Sequence, residues 1–113
     1  MSAPALEAVT MLAARQVLAA AAIRLEEYPA ARVTSVDVTH TVLAAADQLL
    51  PRDRSAAYHL AVDALDVLGE YRRELGEDPK ALDRWTTVYS RVEMVAQMRA
   101  AANTTTTESG DQA

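Results

Sequence analysis

The residue types best suited to metal chemistry are two histidines, each with a carboxylate about one helical turn away. His40 follows Asp37 by three residues and His59 precedes Asp63 by four, so each pair shares a face if its segment is helical. Facing helices that carry such pairs can hold a metal ion between them. The apolar residues of both segments lie on the opposite arcs, however. We therefore predict solvent-exposed histidines with no metal and no cofactor, and a metal-binding or small-ligand-binding bundle remains an alternative.

The junction from Leu49 to His59 carries residue types that could read DNA. Its polar and aromatic candidates are Arg52, Arg54, Ser55 and Tyr58. In a helix-turn-helix protein, the first turn of the second helix enters the major groove and contacts bases and phosphates. Here the turn lacks the usual glycine, and acidic residues further along the same helix would repel phosphate. A DNA-binding regulator is therefore an alternative interpretation.

Acidic residues of this same helix form a stripe at helical spacing, Asp63, Asp66, Glu70 and Glu74, and the candidate contacts in it are Asp63, Asp66 and Glu70. Such a stripe can dock a basic partner, although a run of charge is usually a solvated helix face. Arg73 partly neutralises it. We keep the stripe as a candidate interaction surface.

Nucleophilic catalysis has no support in the sequence. The chain contains no cysteine, which excludes disulfides, thiol catalysis and cysteine-type zinc sites. Serine and threonine occur in predicted caps, turns and the C-terminal tail, without a glycine-rich elbow or phosphate loop around them. The sequence therefore predicts a protein that is not an enzyme.

The aromatic residues offer one further candidate site. Trp85 is the sole tryptophan, and together with Tyr71 and Tyr89 it could line a ligand pocket. A lone tryptophan at a helix end more often fills the core. We predict that Trp85 ends a short helix and plugs the core, with the pocket as the alternative.

Composition limits the class of protein. A chain of 113 residues fits one domain, and its 24 alanines and lack of phenylalanine predict a thin core between closely packed helices. The net charge of −5 argues against non-specific nucleic-acid binding, though not against a local basic patch. Uncharged runs such as Gln16 to Ile23 are too short to span a bilayer, so we expect a cytoplasmic protein without membrane contact. Arginine supplies 10 of the 11 basic residues, which favours a high-GC bacterium, its plasmids or its phages.

Capping and breaking residues predict the helices. They indicate helices from Pro4 to Tyr28, from Thr34 or Ser35 to Pro51, from Asp53 to Leu75, from Pro79 to about Trp85, and onward from a Ser90 and Glu93 capping box. The predicted fold is all-α, a small bundle of four principal helices, the last interrupted from Thr86 to Ser90. The bundle covers residues 1–103, and residues 104–113 form a disordered polar tail. No segment alternates strongly enough to predict a strand.

The first helix is apolar on two faces, which makes it either the central element of the bundle or a docking surface. One face holds Leu6, Val9, Leu12, Ala13, Val17, Ala20 and Ile23. The other follows a heptad-like spacing through Met11, Leu18 and Leu25. We predict that Met11, Leu18 and Leu25 contact a partner.

Three segments resemble a family of short, uncharacterised proteins of actinobacteria and their phages and plasmids. Members have an N-terminal helix, a central segment of Cys-Ala-Leu-Gly-Ala-Leu character, and a Trp-Asn-Asp loop before a helix that begins Arg-Thr-x-x-Glu-Val. The corresponding pieces here are Ala19 to Glu27, Val38 to Ala46, and Trp85 to Val95. The central cysteine and glycine are absent, and Thr86 and Thr87 replace Asn-Asp. The resemblance covers most of residues 12–102 and implies a shared helical fold, but the family has no established activity to transfer.

These observations together predict a non-enzymatic interaction or regulatory module, an adaptor of a mobile element. Its expected partner is another protein or a second copy of the chain in a homodimer. The predicted contacts are the Met11, Leu18 and Leu25 face and the acidic stripe.

Overall fold

The computed structural model describes residues 3–78, 84 and 87–103, with side chains from Val9 onward. Several predictions lie outside these residues and stay predictions. They are the short helix from Pro79 to Trp85, the core position of Trp85, the start of the break at Thr86 and the tail 104–113.

The described chain forms four helices and two short strands. In order these are α1 (Ala3–Glu26), β1 (Arg32–Thr34), α2 (Ser35–Leu49), α3 (Arg54–Glu74), β2 (Val88–Ser90) and α4 (Arg91–Asn103). The predicted all-α bundle is confirmed. None of the helices in the described part of the chain combines the length and the apolar character that crossing a bilayer requires.

Local hydrogen bonds explain where α2 and α3 begin. Thr34 caps α2 in a full capping box, since its hydroxyl accepts the Asp37 N–H and the Asp37 carboxylate accepts the Thr34 N–H. Asp53 caps α3 by accepting the Ala56 N–H at 3.0 Å. Both caps agree with the predicted helix starts.

The end of α3 is a turn that is closed by two backbone hydrogen bonds and requires glycine. The Glu77 N–H donates to the Arg72 carbonyl, and the Gly76 N–H donates to the Arg73 carbonyl, each at 3.0 Å. Gly76 has φ +88°, a conformation that side chains with a Cβ rarely adopt. The turn at Gly76 ends α3 and places Glu77 beside Arg72.

The structure also contains two short strands that the sequence patterns do not predict. β1 and β2 pair antiparallel, with Val33 opposite Tyr89. Backbone bonds extend the pairing at both ends, from Ser35 N to Thr87 O at 3.1 Å and from Arg91 N to Ala31 O at 2.9 Å. Each strand has three residues, too few for alternation to show in the sequence, and each leads directly into a helix. The pair thus ties the starts of α2 and α4 together.

Helix α1 is the central element of the bundle. It packs against α2, α3 and α4, and α3 also packs against α2 and α4. Alanine occupies much of the contact between helices, which lets their backbones approach closely, while larger side chains fill the remaining space. The largest fully buried side chains include Leu18, Leu25, Leu68, Met94 and Met98.

Thr41 and Arg72, two polar residues within the helices, are buried. Thr41 of α2 is 3% exposed, and its hydroxyl donates to the Val38 carbonyl at 2.7 Å. Arg72 extends the buried face of α3 and is 4% exposed. In each case a hydrogen bond compensates for the loss of water.

Candidate functional site

The structure corrects the prediction of which α1 face is available to a partner. Leu18 and Leu25 are completely buried, whereas Met11 is 43% exposed. The heptad-like spacing through Leu18 and Leu25 therefore belongs to the core, and these two residues cannot form a docking surface in this fold. The sequence showed two apolar faces but did not show which one the other helices cover.

The opposite face of α1 remains open to solvent along most of the helix. We call it the outer seam and define it by Val9, Leu12, Gln16, Ala19 and Ile23, all of them exposed. Its large apolar members are 60% exposed at Val9, 52% at Leu12 and 56% at Ile23.

The outer seam has the spacing of a coiled-coil contact. Successive members are three, four, three and four residues apart, so they form a single line along the helix. Single exposed apolar side chains are common on soluble proteins, but a line of them at this spacing is typical of a helix-binding surface. The arrangement can bury the seam against another helix without any change in the bundle.

A second candidate site is a cleft of about 310 Å³ between the end of α3, strand β2 and the start of α4. Its lining residues are Arg72, Glu77, Asp78, Thr87, Val88, Tyr89, Ser90, Glu93, Met94 and Gln97. Of the three aromatic residues considered for a ligand pocket, Tyr89 lines this cleft. Tyr71 is half-buried against the core instead, and Trp85 lies outside the described residues.

Arg72 forms the wall of this cleft and already has several partners. Its guanidinium donates to the Gln97 side-chain oxygen, lies over the Tyr89 ring and is 3.7 Å from the Glu77 carboxylate. These contacts join α3 to β2 and α4. The side chain is 5% exposed, so its charge is compensated by these groups more than by water.

The remaining charges of the cleft are acidic. Glu77, Asp78 and Glu93 line it, and Asp78 is paired with Arg84 at 2.6 Å. The positive charge of Arg72 therefore does not make the cleft a basic one. We interpret Arg72 as a structural connection between three elements.

The acidic stripe on α3 is partly solvated and partly paired. Asp66 and Glu70 are exposed, Asp63 is half-buried, and Glu70 forms an ion pair with Arg73 at 3.0 Å. The stripe thus remains accessible, but its charge is reduced at one end.

The residues of the DNA-binding alternative lie together on the surface. Arg52, Arg54, Ser55 and Tyr58 are all exposed at the turn before α3 and in its first turns. Asp53, between the two arginines, caps the same helix with its carboxylate. This carboxylate places a negative charge among the groups that would have to approach phosphate.

The two histidines do not converge on a common site. Both are exposed, and the His59 ring nitrogen Nδ1 lies 2.8 Å from the Ser55 carbonyl oxygen of its own helix. Among the residues that the structure describes, no three His, Cys, Asp or Glu side chains are grouped as metal ligands.

Two features of the structure were not predicted from the sequence. Arg72 continues the buried line of α3, which runs through Ala57, Ala61, Ala64 and Leu68 at spacings of three and four. That spacing was visible, but arginine is rarely placed in a core. The outer seam also has a signal in the sequence, but its apolar members Val9, Leu12 and Ile23 share one broad predicted face with the buried Val17.

Comparison of the chain with protein-family models, curated proteins and solved structures finds no match.

Proposed function

We propose that this protein is a non-enzymatic interaction module that binds a helical partner through the outer seam of α1. The main support for this proposal is the exposure of Val9, Leu12 and Ile23 at coiled-coil spacing. These residues lie on α1, the helix that packs against the other three. Transfer of such side chains from water to an apolar contact stabilises a complex by about 25 cal/mol per Å² buried.

The rigidity of α1 also favours docking through the seam. The opposite face of the helix is held in the core by Val17, Leu18 and Ala21, so the seam is presented in a fixed conformation. A preformed surface loses little conformational entropy when it binds. The acidic stripe on α3 offers no comparable apolar area, and we assign it no part in this contact.

The broader role that fits such a module is that of a small regulatory protein or adaptor in the cytoplasm. The arginine-rich and alanine-rich composition and the resemblance to short actinobacterial, phage and plasmid proteins support an origin in a mobile element. This part of the proposal rests on the sequence.

The proposal is tested by affinity capture from a native extract of the source cell. The bait is the wild-type chain, a Leu12→Glu, Ile23→Glu double variant, or Val92→Glu as a matched control. Val92 is 69% exposed on α4, so the control adds a charge to an apolar surface position outside the seam. We expect the wild type and the control to retain the same partner and the double variant to lose it. Equal retention by all three baits would contradict docking through the seam.

A further inference from the structure

We draw no further inference here: the strongest candidate, the cleft between the end of α3, strand β2 and the start of α4, carries none, because the Arg72 guanidinium in its wall is already paired with Gln97 and Glu77 and nothing in the described residues shows what would bind beside its carboxylates.

Discussion

The Arg72 guanidinium lies over the ring of Tyr89, with its central carbon 5.0 Å from the ring centre. The Tyr89 hydroxyl lies in turn 3.3 Å from the Ser35 hydroxyl at the start of α2. One buried cation thus connects α3 through β2 to α2, and its bond to Gln97 adds α4. These contacts hold the two-stranded pair against the helices.

Removal of Arg72 should destabilise the fold strongly. Arg72→Ala should lower the free energy of unfolding by about 2 to 4 kcal/mol, because it removes a buried, paired charge and its packing. The matched control is Arg73→Ala, whose side chain is 60% exposed and pairs with Glu70 on the surface. The Arg73→Ala substitution should lower the free energy of unfolding by less than about 0.5 kcal/mol. Urea unfolding followed by circular dichroism gives both values, and similar losses would show that Arg72 is not a structural connection.

The two contacts of Tyr89 can be separated by two substitutions. Tyr89→Phe keeps the ring under Arg72 but loses the hydroxyl contact with Ser35. This substitution should lower the free energy of unfolding by about 0.5 to 1.5 kcal/mol. Tyr89→Leu also loses the interaction of the cation with the ring. It should therefore lower the free energy of unfolding by about 0.5 to 2 kcal/mol more than Tyr89→Phe does. In an Arg72→Ala background the difference between the two variants should shrink. An unchanged difference would mean that the ring does not interact with the guanidinium.

The two glycines of α3 and its C-terminal turn should respond in opposite directions. Gly76→Ala should destabilise the protein by about 1 kcal/mol or more, because the turn requires positive φ. Gly69 lies inside α3, and a Cβ there would meet nothing within 4 Å. Gly69→Ala should therefore stabilise the protein by about 0.5 to 1 kcal/mol. Thermal unfolding midpoints that move the same way would contradict this assignment.

The capping box of α2 should contribute measurably to stability. Thr34→Ala removes the hydroxyl that accepts the Asp37 N–H, and it should lower the free energy of unfolding by about 1 kcal/mol. Thr34→Ser keeps the hydroxyl and should lose much less. Chemical unfolding of the three proteins measures the difference, and an equal cost for serine and alanine would show that the methyl group, not the cap, is responsible.

The two faces of α1 should differ in their tolerance of charge. Leu18→Glu places a carboxylate in the core. It should unfold the protein or lower the free energy of unfolding by more than about 4 kcal/mol. Leu12→Glu on the outer seam should change monomer stability by less than about 0.5 kcal/mol. Far-UV circular dichroism with urea unfolding at low protein concentration distinguishes them. Equal tolerance would contradict the assignment of buried and exposed faces.

Local residue chemistry was sufficient to predict most of the helices. Thr34, Asp53 and Gly76 act within a few residues of themselves, through side-chain caps or positive φ, so their effect can be read without the rest of the chain. The fold class followed from these signals and from the helical spacing of apolar residues. The candidate site did not follow, because the heptad-like spacing through Leu18 and Leu25 is the same on a buried face as on an exposed one.

The sequence by itself determined that the chain is helical and where α2 and α3 begin, and it showed that α1 has two apolar faces. The tertiary structure alone decided which face is buried, because α2, α3 and α4 all pack on one side of α1 and leave Val9, Leu12 and Ile23 in solvent. It also decided the pairing of β1 with β2 and the burial of Arg72. The strand pairing depends on residues distant in sequence, and Arg72 is tolerated in the core because the distant Tyr89 and Gln97 side chains compensate its charge.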